Sequence, residues 1–343
     1  TTIDKPNLHF NTKLYTGTGS TQSLTGVGFQ PDMVWIKSRS GTTGHTLWDV
    51  VRGTTKWLTP NSNSAEGTYA GGLTSFDSDG FSIGDGGDIN TNSATQVAWN
   101  WKAGNSAGSS NTDGSINTTS TSVNTTAGFS ISTYTGNGTA GATVGHGLGA
   151  VPSMIIVKVR NTSNNWAVYH KDLGVTKAVY LDGDSAGTTD GWMNNTAPTN
   201  QVFYLSGGNY GNVNSNTHVA YCFAEKQGYS KFSHYDGNSA ADGTFVYTGF
   251  KPAFLMIKPI DDADNWVMFD NKRDNQFNDS SSPDFLYANK SFAENGSQVL
   301  DFLSNGFKMR TTGNTANRSS TFIYMAFAEN PMVGSNDTPA TAR

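Results

Sequence analysis

Three copies of one pattern follow one another along the 343 residues, and this internal repeat limits the folds open to the chain more than any other feature. Each copy has an anchor segment in which a proline lies three residues after a glycine and six residues before a lysine. The anchors are residues 28–37, 149–158 and 249–258. Each anchor follows a Tyr-x-Gly element and precedes a tryptophan in a short apolar run. These residues are Tyr15, Tyr134 and Tyr235, and Trp48, Trp166 and Trp266.

Each copy also closes with a similar apolar and aromatic segment, at residues 97–101, 219–223 and 323–327. From the anchor proline to the last aromatic residue of this segment, the copies measure 70, 71 and 75 residues. Chance agreement at so many ordered points is improbable. The sequence therefore predicts one structural unit used three times.

The predicted bounds follow from the repeat and from local composition. The three repeats are expected at residues 1–105, 128–227 and 228–334. Residues 106–127 are almost wholly small and polar, which predicts a linker, and residues 335–343 predict a polar tail. Because only a short joint separates the second and third repeats, we expect these two to pack closely and the first to be held more loosely.

The fold class predicted from composition and pattern is all-β. The 39 glycines disfavour long helices, whereas 8 Trp, 13 Tyr and 19 Phe supply a core. Residues 154–159 form an apolar run typical of a strand buried on both faces. Asp79-Gly80 and Asn305-Gly306, each between apolar runs, predict hairpins. Each repeat is therefore expected to be an antiparallel β-sandwich of the jelly-roll or lectin-like kind.

Several classes of partner are disfavoured. The net charge is −5 and no stretch is rich in Lys or Arg, so the sequence predicts no nucleic-acid binding. No apolar run approaches the roughly 18 residues that cross a bilayer, so no membrane insertion is expected. The single Cys222 allows no intramolecular disulfide, and the first residues lack a signal-peptide pattern. We expect the chain to fold in a cytoplasm.

The polar residues predict no catalytic, cofactor or metal site. Glutamate occurs only four times, most aspartates lie in turns, and the six histidines have no ligand spacing. The recurring anchor lysines are expected to extend to water. An acidic cluster is interpreted as a hairpin turn rather than a Ca²⁺ site, which stays the alternative. Its members are Asp77, Asp79, Asp85 and Asp88.

Aromatic residues in loops are the best ligand candidates, because their rings can stack on sugars while Asn and Asp bind hydroxyls. Core packing accounts better for Trp35, Trp99 and Trp101. The glycan-binding candidates lie among Asn-rich and Gly-rich segments of the second repeat, and they are Tyr180, Trp192, Tyr204 and Tyr210.

Segments spread over essentially the whole chain resemble a family of virion proteins from tailed bacteriophages of marine bacteria. The similar segments are residues 1–6, 10–17, 27–32, 75–82, 326–331 and 340–343. The resemblance implies a structural or surface-exposed virion component and brings no catalytic residues with it. It leaves open whether the component belongs to capsid decoration, a fibre or the tail.

Three functions are compatible with these sequence features. The leading expectation is a non-enzymatic structural protein on a phage particle, assembled in the host cytoplasm and bound to other virion proteins. The second is a carbohydrate-binding module that attaches the particle to host glycans. The third is a polysaccharide-degrading tailspike, which would need two converging carboxylates that the sequence does not reveal. Whether the chain also forms a homo-oligomer stays open.

Overall fold

A computed structural model describes residues 1–273, 284–297, 299–313 and 315–334. The predicted polar tail at residues 335–343 lies outside these described residues. The described chain is almost entirely β, with a single turn of α-helix, α1 (Gly87–Asn90), and a 3₁₀ turn at Pro6–Leu8. All pairings between its strands are antiparallel, which confirms the predicted all-β antiparallel class. No helix within the described ranges is long and apolar enough to span a membrane.

The strands fall into three series. The first repeat contains β1 (Phe10–Thr16), β2 (Gln22–Thr25), β3 (Met33–Ser38), β4 (Thr46–Asp49), β5 (Lys56–Trp57), β6 (Gly67–Thr68), β7 (Leu73–Asp77), β8 (Gly80–Ile83) and β9 (Thr95–Trp101). The second contains β10 (Ser120–Asn124), β11 (Phe129–Thr135), β12 (Ala142–Gly145), β13 (Met154–Val159), β14 (Ala167–His170), β15 (Lys177–Tyr180), β16 (Thr188–Thr189), β17 (Val202–Leu205) and β18 (Thr217–Phe223). The third contains β19 (Ser230–Asp236), β20 (Phe245–Tyr247), β21 (Phe250–Pro259), β22 (Val267–Asp270), β23 (Asp284–Tyr287), β24 (Asn295–Gly296), β25 (Leu300–Leu303), β26 (Gly306–Met309) and β27 (Thr321–Pro331).

One strand order recurs in the large sheet of every repeat. It is β1-β9-β3-β4 in the first, β11-β18-β13-β14 in the second and β19-β27-β21-β22 in the third. The last two sheets continue through β15-β16 and β23-β24, and β10 adds an edge strand to the second. A small sheet accompanies each large one, as β2-β8-β7, β12-β17 and β20-β26-β25. The topology therefore repeats with the sequence.

Both faces of the large sheets are buried, but against different partners. Successive side chains of a strand point to opposite faces. Met33 and Trp35 of β3 lie in a hydrophobic cluster drawn from all three repeats, which we call the central core. Val34 and Ile36 of the same strand lie in a separate cluster confined to the first repeat, which also includes Phe81 of the small sheet. Each repeat is thus sandwich-like, with one face of its large sheet left for the other repeats.

The three repeats close into a ring. The backbone N–H of Glu66 in the first repeat donates to the carbonyl of Arg160 in the second, at 2.6 Å. The backbone N–H of Gly187 in the second repeat donates to the carbonyl of Ile260 in the third, at 2.8 Å. The backbone N–H of Glu294 in the third repeat donates to the carbonyl of Arg39 in the first, also at 2.8 Å. Because the third repeat contacts the first, our expectation of a loosely held first repeat is wrong.

Aromatic side chains fill the centre of this ring. The Phe10 ring stacks on Phe327 with a centroid distance of 5.2 Å, although the two residues belong to the first and third repeats. Trp101 packs edge-on against Phe327 at 5.8 Å. Trp35, Trp99 and Trp101 are all at most 3% exposed, as their interpretation as core residues predicts.

Residues 106–127, predicted as a polar linker, carry β10 and follow the surface of the second repeat. Strand β10 pairs with β11 along its whole length. At the entry to the segment, the buried carboxylate of Asp32 accepts the backbone N–H groups of Ala103 and Asn105 at 2.6 and 2.9 Å. Gly104 of the first repeat also donates its backbone N–H to the hydroxyl of Ser122 at 3.0 Å, so the segment is bound to both the first and second repeats.

The predicted hairpins are confirmed. Strands β7 and β8 pair up to Asp77 and Gly80, and β25 and β26 pair up to Leu303 and Gly306. The two-residue turns are Ser78-Asp79 and Ser304-Asn305, so the glycine of each Asp-Gly and Asn-Gly pair is the first residue of the second strand.

Candidate functional site

Buried charged groups join the first repeat to the second. Glu66 accepts hydrogen bonds from Arg160 of the second repeat at 2.8 Å and from Arg52 of its own repeat at 3.1 Å. Arg52 also contacts Asp49 at 2.5 Å, and Asp49 accepts the hydroxyl of Tyr221 from the second repeat at 2.7 Å. Burial alone would raise the pKa of Glu66, but its bonds to Arg160 and the charge of Arg52 lower it. The carboxylates are therefore engaged in holding the repeats together.

The contact between the third and first repeats uses the same residue types. Glu294 pairs with Arg39 of the first repeat at 2.7 Å and with Arg273 of its own repeat at 2.9 Å. Asp270 contacts Arg273 at 2.5 Å and accepts the indole N–H of Trp99 in the first repeat at 2.9 Å. The sequence reasoning missed this correspondence, although an Asp-x-x-Arg pattern that begins at the last residue of the fourth strand of both repeats was the available signal.

The contact between the second and third repeats is built without these charges. His170 and Leu173 stand where the other repeats have aspartate and arginine, and Gly187 stands where they have glutamate. His170 Nε2 donates to the carbonyl of Tyr324 at 3.1 Å, since its Nδ1 accepts the N–H of Asp172. Burial lowers the pKa of His170 to about 4 and so favours the neutral ring. At this position the contact between the second and third repeats is therefore neutral, and ion pairs between these repeats lie elsewhere, at Lys231–Glu225 and Lys290–Asp184.

The remaining glutamates are paired as well. Glu225 binds Lys171 at 2.9 Å and Lys231 at 2.8 Å, and Glu329 binds Lys251 at 2.9 Å. All four glutamates of the chain thus have a cationic partner. Such pairing gives each of them a structural role.

The anchor lysines, Lys37, Lys158 and Lys258, are buried in the ring. Each is at most 1% exposed, so our expectation that they extend to water is wrong. The strand end lies beneath a neighbouring repeat, and Lys158 and Lys258 donate to the carbonyls of Asn63 and Asp184 in the preceding repeat, at 3.2 and 3.3 Å. Burial lowers the pKa of all three lysines to about 8.

A nitrogen-bearing ring in each repeat donates to a backbone carbonyl of the preceding repeat. In the second and third repeats this ring is Trp166 and Trp266, and in the first it is His45. The repeat alignment matched Trp48 instead, which is wrong. The strand register pairs Trp48 with Val34, so it faces the first repeat's own cluster. The acceptors are Thr59, Tyr180 and Tyr287, at 3.2, 2.8 and 2.9 Å.

The Tyr-x-Gly elements also have a structural explanation. The hydroxyls of Tyr15, Tyr134 and Tyr235 each donate at 2.7 Å to a carbonyl just before a buried asparagine. That asparagine accepts a backbone N–H from the glycine-containing turn after the tyrosine, at 2.8, 2.8 and 3.2 Å. The sequence reasoning missed these asparagines, which are Asn90, Asn212 and Asn317. Each lies four or five residues before a closing strand.

The structure separates the four glycan candidates. Tyr180 and Tyr210 lie together, with ring centroids 5.1 Å apart, and the Tyr180 hydroxyl donates to Asp190 at 2.8 Å. Tyr204 is half-buried on β17, opposite Thr143. Trp192 is 1% exposed within the core of the second repeat, so its indole offers no free face. Two of the four candidates therefore form a partly exposed pair.

The acidic cluster makes contacts that belong to a turn. Asp79 accepts the backbone N–H groups of Gly26 and Gly28 at 3.0 and 2.6 Å, and these bonds lower its pKa. Asp77 accepts the hydroxyl of Ser82 at 2.7 Å. Within the described ranges no three His, Cys, Asp or Glu residues form a group that could hold a metal ion.

Comparison with known proteins gives one match. A family profile described as "Domain of unknown function (DUF7483)" matches residues 5–331, which include all three repeats. No curated protein and no solved structure matches the chain.

Proposed function

The chain belongs to the DUF7483 family, and we propose that it is a non-enzymatic structural protein exposed on the surface of a bacteriophage particle. The proposal begins from the resemblance to virion proteins, and the observation that carries it is the closed ring of three repeats. Its partners would be other virion proteins of the capsid, a fibre or the tail.

The ring suits a particle because symmetric assemblies present equivalent surfaces around their axes. Three repeats with one strand order, joined by equivalent backbone contacts, place three copies of one sheet in a single chain. Such a body can sit on a threefold or quasi-threefold position as a monomer. Homo-oligomerisation would then be unnecessary for symmetry.

We propose that the chain has no enzymatic activity because its buried carboxylates hold the repeats together. Glu66 and Glu294 each pair with two arginines, and Asp49 and Asp270 are fully buried between repeats. A glycosidase needs one carboxyl group that can donate a proton and a second that can act on the sugar. Carboxylates fixed by arginine are poor proton donors, because the cation favours their charged form.

We also propose the finer organisation. The repeats would be sandwich domains of jelly-roll or lectin-like type at residues 1–105, 128–227 and 228–334, with residues 106–127 as the connecting segment. The support is that each repeat has a hydrophobic cluster of its own, beside the shared central core.

The structural proposal is tested on particles. Phage particles produced from a genome that encodes this chain would be purified, and a cryo-electron microscopy map would be searched for the three-repeat ring. We expect the ring on the outer surface of the capsid, a fibre or the tail. Particles that lack the chain, by map and by mass spectrometry, would overturn the proposal.

A second candidate function is adhesion to host glycans. It is favoured by Tyr180 and Tyr210, whose partly exposed rings lie beside the carboxylate of Asp190. A glycan array with and without Ca²⁺ tests it, using Tyr210→Ala as the variant that should lose binding. An unchanged array pattern in that variant would exclude this surface.

A further inference from the structure

The first repeat carries an open groove that the sequence reasoning did not identify. It has a cavity volume of about 360 Å³, and its walls come from β4, β5, β6, the turn before β7 and α1. Trp48, Trp57 and Tyr69 line it, and we call it the first-repeat groove. Small-molecule sites have volumes from about 300 Å³ upwards and are lined mainly by apolar and aromatic groups. The groove fits that description.

Two buried polar atoms at the first-repeat groove lack a hydrogen-bond partner. They are the indole Nε1 of Trp48 and the hydroxyl of Thr46, and both residues line the groove at 2% and 4% exposure. A Cβ atom at Gly72 would lie 2.8 Å from Cζ2 of Trp48, on the same side of the indole as Nε1. The glycine therefore packs directly against that edge of the ring, where a larger residue would not fit. Buried polar groups are normally paired, so these two indicate a missing partner.

Carboxylates add acceptors at the rim. Asp88, the acidic residue in the first turn of α1, is exposed and lines the first-repeat groove. Asp85 accepts the hydroxyl of Tyr69 at 3.3 Å, and the Tyr69 side chain remains 45% exposed. The groove therefore combines aromatic faces, an N–H donor, a hydroxyl and a carboxylate.

The other repeats fill the corresponding positions with their own side chains. By strand register, Trp57 corresponds to Ala178 in the second repeat and to Phe285 in the third. Ala178 belongs to the same buried cluster as Trp192, and the Phe285 ring packs against Phe269 at 6.0 Å. The residues that line the first-repeat groove therefore differ from those at the equivalent positions of the other two repeats.

We propose that the first-repeat groove binds a neutral pyranose ring of a glycan. The apolar face of the sugar would pack on Trp57 and Tyr69, as sugars and aromatic rings pack through apolar surface. Trp48 Nε1 and the Thr46 hydroxyl would bind sugar oxygens, and Asp88 would accept a sugar hydroxyl. Asp85 and Asp88 repel anions, so phosphorylated and acidic sugars are excluded from the same place.

This proposal shares its ligand class with the second candidate function but places the site in a different repeat. It also does not depend on the particle. A virion protein can lack a sugar site, and a sugar-binding protein can lie outside a virion, so the two tests fail independently.

The experiment uses the full chain in three steps. An array of neutral and acidic glycans is screened first, and then methyl α- and β-pyranosides of glucose, galactose and mannose are titrated by tryptophan fluorescence. The same measurements are made with Tyr69→Ala and Asp88→Asn, which alter exposed groups and should leave the fold intact. The matched control is Tyr247→Ala, which removes a 58% exposed tyrosine in the third repeat.

We expect saturable binding of a neutral sugar that weakens by about tenfold in Tyr69→Ala and in Asp88→Asn. Tyr247→Ala should bind as the parent does. Two results would overturn the proposal: no saturable binding of any neutral glycan, or binding that is the same in Tyr69→Ala and Asp88→Asn as in the parent.

Discussion

Acidification should destabilise the ring through His45, and the variant His45→Gln should remove this effect. The His45 ring is fully buried and uses both nitrogens. Its Nδ1 accepts the indole N–H of Trp35 at 2.8 Å, and its Nε2 donates to the carbonyl of Tyr287 in the third repeat at 2.9 Å. A second proton would have to enter on Nδ1, where it would displace the bond from Trp35.

The magnitude follows from the two pKa values. Burial and the nearby Lys37 lower the pKa of His45 to about 3 in the folded chain, against 6.5 for an ordinary histidine. Below pH 6.5 the unfolded chain takes up a proton that the folded chain does not, so stability is lost as the pH falls through this window. At about pH 5 the loss amounts to about 2 kcal/mol for this one residue.

Glutamine tests this reasoning because its side chain has an acceptor for Trp35 and a donor for Tyr287 but does not titrate. Urea unfolding of the parent and of His45→Gln would be measured at about pH 7 and pH 5. We expect the parent to lose about 2 kcal/mol more than the variant on acidification. The control is His234→Gln, at a side chain that is 53% exposed, and it should lose as much as the parent. An equal loss in the parent and His45→Gln would refute the reasoning.

Three further perturbations test other parts of the ring. Because burial lowers the pKa of Lys258 to about 8, the folded chain loses this proton before the unfolded one, and stability should rise from about pH 7 to pH 9. In urea unfolding, Lys258→Met should remove about 1 kcal/mol of that rise in the free energy of unfolding. An identical rise in both proteins would contradict the lowered pKa of Lys258. Glu66→Gln should lower the free energy of unfolding by about 3 kcal/mol in the same assay, because it leaves buried Arg52 with one carboxylate fewer. The control Asp242→Asn, at a side chain that is 83% exposed, should change this free energy little. Asn212→Ala should lower the free energy of thermal unfolding by about 3 kcal/mol, because four backbone groups lose the side-chain amide that binds them. An unchanged melting temperature would show that Asn212 does not stabilise the fold in this way.

The strands and hairpins could be predicted because their signals are local. The apolar run at residues 154–159 indicated a strand buried on both faces, and β13 is such a strand. The closure of the ring could not be predicted in the same way. Arg39 and Glu294 are 255 residues apart, and a strand buried against another repeat has the same pattern as one buried against its own second sheet. The sequence pattern shows that a strand is buried but not which part of the chain covers it.

The functional residues were harder to predict because exposure depends on tertiary packing. Trp192 and Tyr210 lie in similar Gly-rich and Asn-rich surroundings, yet Trp192 is in a core and Tyr210 is partly exposed. Trp48 and Trp166 looked equivalent, but their strand registers place them on opposite faces of the large sheets. The anchor lysines looked like surface residues because a neighbouring repeat, which the local sequence does not reveal, covers them.

The shared central core also sets an order of assembly. During synthesis the first and second repeats emerge before the third. Until the third repeat has emerged, the inner faces of the first two large sheets lack the part of the central core that it contributes. Phe10 of β1 contacts Phe254 and Phe327, which emerge more than two hundred residues later. Contacts between such distant residues form slowly and leave apolar surface exposed while they form. We therefore expect a nascent or truncated chain that lacks β27 to self-associate, since the earliest strand of the protein is protected only when its latest described strand arrives.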